Sequence, residues 1–222
     1  MERIGIIAGM PDELAAFMPD RQRTKTLAEP ILVEQIAHAG RTMFLACAGI
    51  GKVSAATAAT LLHSRYDVEL LVVIGTAGNI GNMKAGVFNI VAAFQADFGA
   101  QRASGLVHYN AGTLPIGTPA IDAFLPLPIP RLQLPPARIA TSDLFIECAK
   151  HAAGIRTALD VTLVDMETAA VAQTANLLGI PWIAIKAATD DADGDGADSF
   201  TVNLAAAASA SAHATEQALA LL

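Results

Sequence analysis

The chain has 222 residues, 53% of them hydrophobic and 16% charged, with a formal net charge of −7. That is enough apolar material for one large aliphatic α/β core, and the negative balance argues against nucleic acid or an anionic membrane as a partner. Cys47 and Cys148 are too few for a disulfide framework and point to a reducing cytoplasm, and no apolar run approaches the ~18 residues of a membrane span.

The N-terminus lacks the apolar core and cleavage site of a signal peptide and runs straight into Ile4–Ala8, a short apolar strand. Gly9-Met10-Pro11 turns this strand into a helix with Asp12 and Glu13 in its first turn, where the helix dipole favours anions. Glu13 reads either as a helix-start carboxylate or as one pointing from the strand's C-terminal edge into a site. Ile31–His38 and Arg41–Ala46 alternate around Ala39-Gly40 as a hairpin. Ala48-Gly49-Ile50-Gly51-Lys52-Val53 then leads into an Ala-rich helix to about Arg65. It is not a P-loop, because no glycine sits five before Gly51 and Val53 stands where Ser or Thr is required.

Leu70–Ile74 is an apolar strand that ends in Gly75-Thr76-Ala77-Gly78-Asn79. Small residues there either let backbone amides face a ligand or simply form a turn. Lys84-Ala85-Gly86 introduces strand Val87–Ala93. Seven of the eleven prolines fall between Gly99 and Pro136, which excludes a long helix; the stretch reads as an extended loop or flap of a single 1–222 domain. Ala137–Ala140 resumes the core, and Ser142 or Asp143 caps a helix carrying Leu144, Phe145 and Ile146. An apolar run ends at Val164, and Met166-Glu167-Thr168 starts an apolar helix that stops at Leu178-Gly179-Ile180-Pro181. A buried strand, Trp182–Ala188, delivers Thr189-Asp190, and Phe200–Leu222 forms a long helix on the sheet.

Glu13, Glu167 and Asp190 thus stand at or near strand ends, where open α/β sheets place their ligands. Carboxylates flanking an acetal-like C–O or C–N bond are what glycosidic cleavage requires. One protonates the leaving group and another activates water against an oxocarbenium-like centre. A partly dry cleft raises a carboxyl pKa toward the working pH, and Thr189 could orient Asp190 as such an acid. Competing motifs are weaker. Asp191-x-Asp193-x-Asp195-Gly196 matches the first half of a calcium loop, but Val202 stands at the twelfth position, where Glu is needed. The five histidines lack zinc spacing, and no GxSxG elbow occurs.

Taken in order, IGIIAGMPDE, AGIGKVSAA, VVIGTAGNI with KAGV after it, TSDLFI, VDMETAAVA and IPWIAIKAATDDAD resemble the nucleoside phosphorylase/nucleosidase superfamily. The likeness is closest to its bacterial 5′-methylthioadenosine/S-adenosylhomocysteine nucleosidases. It implies a three-layer α/β/α fold with a mixed, partly barrelled central sheet, and a cytoplasmic homodimer with no metal or organic cofactor. The activity implied is hydrolysis of a purine nucleoside in methionine salvage, releasing adenine. In that scheme Asp190 protonates the purine at N7, Glu13 positions or activates water, and Glu167 holds the ribose hydroxyls. Met166 and Met10 line the sugar, Phe145 stacks on the base and the Ile146 backbone hydrogen-bonds it. Thr76, Ala77 and Gly78 line the sugar and water side, with Thr189 beside the acid.

The chain also departs from the family pattern. Thr76 and Thr189 stand where serine is usual, and Phe94-Gln95-Ala96-Asp97-Phe98 replaces a His-Asp-containing segment. The Pro-rich stretch is reduced where the family shapes the pocket for the 5′ substituent. Alternatives are a phosphorylase, a futalosine hydrolase or a non-catalytic nucleoside binder. A phosphorylase needs a cationic phosphate clamp, for which Arg102 is the mid-chain candidate, and loss of activity is opposed by the presence of all three carboxylates.

Overall fold

The computed structural model describes residues 1–26, 30–81, 83–190 and 196–222, with the backbone alone at 189, 190 and 196–201. The elements run β1 (Arg3–Ala8), α1 (Pro11–Ala15), β2 (Thr24–Thr26), β3 (Val33–His38), β4 (Arg41–Cys47), α2 (Lys52–Tyr66), β5 (Leu70–Asn79) and β6 (Val87–Gln95). They continue as β7 (Gly99–Arg102), β8 (Gly105–His108), β9 (Pro136–Thr141), α3 (Ala149–Leu159), β10 (Leu163–Asp165), α4 (Thr168–Leu178), β11 (Trp182–Asp190) and α5 (Gly196–Ala220).

The apolar runs read from the sequence become the interior of one mixed sheet in the order β10-β9-β6-β11-β5-β1-β4-β3-β2. β1 is buried along nearly all its length and pairs in parallel with both β4 and β5, as expected of a strand covered on both faces. β10 returns to pair antiparallel with β5, Leu163 opposite Asn79 and Val164 opposite Gly78. Strands β5, β11, β6, β9 and β10 therefore close into a five-strand barrel at one end of the sheet. β7 and β8 form a separate hairpin.

Helices α2 and α4 cover one face through small side chains, Ala55, Ala58 and Ala59 against Ala169, Ala172 and Ala175. Helices α1 and α5 cover the other, where Leu14, Ala212, Ala218 and Leu219 meet Ile4, Ile6, Val72 and Ile185. α3 seals the barrel with Ile155 and Leu159 against Ile80, Phe94 and Ala140. The result is the three-layer architecture with a partly barrelled mixed sheet that the motif order implied.

Two local expectations differ. β5 continues through Gly75–Asn79 where a turn was expected, because β11 pairs with it along that length and β10 closes on its end. No helix carries Leu144, Phe145 and Ile146. Ser142 Oγ donates to the Leu144 carbonyl and accepts the Leu144 N–H, closing a tight loop, and the helix starts only at Ala149. Part of the Pro-rich stretch lies on the body of the protein: Leu127 N–H donates to the Trp182 carbonyl at 2.8 Å, and Ile129 is buried among core residues. The Asp191–Asp195 acidic loop falls outside the described residues. Among those described, no helix is long and apolar enough to cross a membrane.

Trp182, the only tryptophan, is 1% exposed at the start of β11, and its indole N–H has no acceptor among the described residues. Its worth to the fold is therefore ring packing. Trp182→Ala is expected to cost about 3–5 kcal/mol, whereas Trp182→Phe, which loses no hydrogen bond, costs less than about 1.5 kcal/mol. Urea denaturation followed by circular dichroism measures both.

Candidate active site

Glu13 sits in the first turn of α1, only 4% exposed. One oxygen, Oε2, accepts the Met10 N–H at 3.1 Å, closing the helix start. The other, Oε1, accepts both the Thr76 N–H and the Thr76 hydroxyl at 2.8 Å. This close seat on β5 depends on Gly75. A Cβ there would fall 2.4 Å from Glu13 Oε1, and the φ of +126° is one that side chains rarely tolerate. The Gly75 N–H donates to Ser211 Oγ of α5 at 3.0 Å, and that hydroxyl donates to the Ile185 carbonyl at 2.8 Å.

Glu167 precedes α4 and is 8% exposed. Its Oε1 accepts the Gly51 N–H at 3.1 Å, at the start of α2. Gly9 leaves room for it, since a Cβ there would lie 3.1 Å from the Glu167 carboxyl carbon. Gly9 and Gly51, from two glycine-containing turns noted in the sequence, thus both lie against the Glu167 carboxylate.

Beneath Glu167 lies a polar knot within the core. Lys186 of β11, 1% exposed, places its ammonium 3.1 Å from Asp165 Oδ2. Asp165 also accepts the Thr141 hydroxyl at 2.5 Å, the Thr168 N–H at 3.0 Å and the Thr168 hydroxyl. The Thr141 oxygen in turn accepts the Ala169 N–H at 2.8 Å. The Asp165 carboxylate, the Thr168 amide and hydroxyl and the Ala169 amide are all engaged, so the turn that presents Glu167 is braced from below.

Burial pushes the Glu167 carboxyl up to about 7; the Lys186 ammonium pulls it down, the Asp165 carboxylate pushes it up, the Gly51 N–H lowers it and Glu13 raises it. Burial opposes the charge on Lys186, but the Asp165, Glu167 and Glu13 carboxylates outweigh it and hold the ammonium above its ordinary value. Three buried carboxylates share one buried ammonium, so negative potential is left over for a cationic centre.

Among the residues expected at the site, Met10, Glu13 and Thr76 are in direct contact, and Glu167 stands against Gly9 at the same end of the sheet. Ala77 and Gly78 follow Thr76 along β5. The Asp190 backbone lies opposite Gly78, after a register shift between Ala188 and Asp190; the side chains of Asp190 and Thr189 lie outside the described residues. Met166 is half-buried between Asp165 and Glu167. Ile146 is buried against the barrel, and Phe145 beside it is 48% exposed, on an irregular loop and not on the expected helix. Among the described residues no group of three or more His, Cys, Asp or Glu side chains is arranged to hold a metal ion.

Sequence reasoning passed over Lys186, Asp165, Thr141, Thr168 and Ser211. The available signal was the lysine of IPWIAIKAATD, a charge inside an otherwise apolar central strand that cannot stay buried unless paired.

The profile of the Phosphorylase superfamily matches residues 3–221. The chain is 30% identical to a 5′-methylthioadenosine/S-adenosylhomocysteine nucleosidase of Maridesulfovibrio salexigens, over 89% of each chain. A Streptococcus pneumoniae MTA/SAH nucleosidase in complex with 8-aminoadenine superposes with a TM-score of 0.88 at 25% identity, over 100% of both chains. A futalosine hydrolase mutant of Helicobacter pylori superposes with a TM-score of 0.86 at 18% identity, also over 100% of both, a likeness of fold alone.

The ion pair yields a stability test. Lys186→Met leaves the Asp165 carboxylate buried without its cation and is expected to cost about 3–5 kcal/mol in chemical denaturation. Adding Asp165→Asn removes the stranded charge, so the double variant is less destabilised than the sum of the two single ones.

Proposed function

The chain belongs to the phosphorylase superfamily, and from that premise we propose that it is a purine nucleosidase that hydrolyses the N-glycosidic bond of 5′-methylthioadenosine and S-adenosylhomocysteine, releasing adenine. The observation that carries the choice of water over phosphate is the seat of Glu13. The amide and hydroxyl of Thr76, which would suit an oxyanion, are both occupied by a carboxylate. A phosphate dianion brought to that place meets like charge, whereas water there meets a base. The arginine that a phosphorylase would use finds no support either. Arg102 donates to the Tyr109 hydroxyl, which donates to the Gly117 carbonyl, tying it into the Pro-rich stretch.

In the proposed reaction Glu13 orients and deprotonates the attacking water. Glu167, as a carboxylate, accepts hydrogen bonds from the ribose hydroxyls and stabilises the cationic sugar. Asp190, at the end of β11, delivers a proton to purine N7, because adenine leaves poorly as an anion. Phe145 and Ile146 face the base, Met10 and Met166 the sugar, and Ala77, Gly78 and Thr189 complete the lining. The methylthio and homocysteinyl 5′ groups rest on the sequence relatives, which favour them over futalosine. The reading takes the chain as a single domain acting in the cytoplasm, in methionine salvage, without metal or organic cofactor. It also takes a homodimer as the working form.

Purified protein is expected to release adenine and methylthioribose from 5′-methylthioadenosine at the same rate with and without phosphate. Release only with phosphate would establish a phosphorylase instead. Asp190→Asn should lower turnover by ~100-fold or more while nucleoside affinity persists.

The pH dependence has a definite sign. The Glu167 carboxyl titrates at about 7 in the folded protein against an ordinary 4.5, and the ionised form is the one that accepts the ribose hydroxyls. kcat/KM should therefore rise with pH through about 7, and Glu167→Gln should abolish that limb. The unfolded chain loses this proton first, so the Glu167 contribution to stability falls as pH rises from 4.5 toward 7.

A further inference from the structure

Two residues of α2's first turn reach two different sides of the site. The Gly51 N–H holds Glu167, on the ribose side, at 3.1 Å. The next amide, that of Lys52, donates to Asp143 Oδ1 at 2.7 Å. Asp143 belongs to the loop that carries Phe145 and Ile146, and here it caps a helix 91 positions away in sequence instead of starting one of its own. The Asp143 amide then donates to Asp97 Oδ2 at 3.1 Å, and the Lys52 ammonium pairs with Asp97 Oδ1. Asp97 lies just beyond β6, in the Phe94–Phe98 segment that departs from the family's His-Asp-containing pattern. Lys52, Asp97 and Asp143 therefore close a three-membered ring of contacts that ties the β6 end, the 142–148 loop and the start of α2 together.

We infer that Lys52, Asp97 and Asp143 form a clasp that sets the spacing between the base-facing loop at Phe145 and Ile146 and the ribose carboxylate Glu167, and so presents the purine to the site. The inference rests on the purine nucleosidase reading. The three are positioning residues; the roles facing the substrate belong to Phe145, Ile146 and Glu167. Neighbouring amides of one rigid turn hold Glu167 and Asp143, so a shift of either loop relative to α2 costs one of these two bonds. As a partly exposed ion pair, Lys52–Asp97 contributes little to global stability; its side chains are 22% and 26% exposed. Its consequence is local order in a loop that has no helix of its own. Without the clasp, the loop has to be ordered by the ligand, which weakens affinity for base and nucleoside alike.

Asp97→Ala removes two arms of the clasp, Asp143→Ala removes one, the bond to the Lys52 amide, because its own backbone N–H stays, and Lys52→Met removes only the ion pair. Each is read by adenine affinity in calorimetry, by KM and kcat for 5′-methylthioadenosine, and by amide exchange across 142–147. Asp97→Ala and Asp143→Ala are expected to weaken adenine binding about tenfold and to raise KM alike, with kcat changed less than about threefold. Exchange at 142–147 should quicken, Lys52→Met should show a smaller effect, and the double Asp97→Ala/Asp143→Ala variant, which loses all three contacts, should be worse than either alone but by less than the sum of the two. Unchanged adenine affinity and KM, with only a lowered melting temperature, would overturn the clasp. So would unchanged exchange across 142–147. A wild-type protein that releases no adenine would sink the nucleosidase reading instead, and the exchange measurement would still decide whether the three residues hold the loop.

Discussion

A lysine ammonium sealed inside a sheet next to an aspartate is the constraint from which the rest of the site follows. Lys186 and Asp165 are almost wholly shielded from water, so neither charge is tolerable alone, and together they pin β11 to the turn between β10 and α4. Thr141 and Thr168 complete the remaining bonds of Asp165, and the turn that presents Glu167 has a single arrangement. The positive charge also moderates the carboxylates above it. Desolvation drives Glu167 toward protonation, and the ammonium is the largest influence in the opposite direction. Without the buried cation, Glu167 would hold its proton more tightly and attract a cationic sugar less.

The carboxylates are accommodated by subtraction. Gly9 and Gly75 omit side chains where Glu167 and Glu13 lie, and the Gly75 amide is held by a hydroxyl from α5. Helix α2 contributes its first amides, the part of a helix that best accommodates negative charge. Strand ends, a helix start and two missing methyl groups thus cooperate in desolvating acids without stranding them.

Much of this arrangement was legible in the sequence. The strands declared themselves as apolar runs bounded by glycine and proline, because in a sheet covered on both faces every position faces the core. The Glu167 helix start and its stop at Gly179, with φ of +70°, were equally local signals. Where the reading erred, the deciding contact was remote. Gly75-Thr76-Ala77-Gly78 has the composition of a turn and is held as strand by β10 and β11, which arrive much later in the chain. Ser142 and Asp143 carry a capping signal, but Asp143 caps another helix. Closure of the barrel rests on a three-residue strand whose pattern is too brief to announce a partner. Lys186 was visible as an anomaly, yet nothing local identifies Asp165 as its counter-ion.

The same long-range bonds govern how the chain comes to its native state. The contacts that define the site join residues 63, 116 and 136 positions apart, through Thr76 to Glu13, Gly51 to Glu167 and Gly75 to Ser211. Each such loop is closed against its entropy, so these contacts draw on the assembled sheet and not on local structure. A nascent or truncated chain without α5 already contains both glutamates but lacks the hydroxyl that secures the strand between them. Both glutamates are therefore in place along the chain before the contact that steadies the strand between them can form.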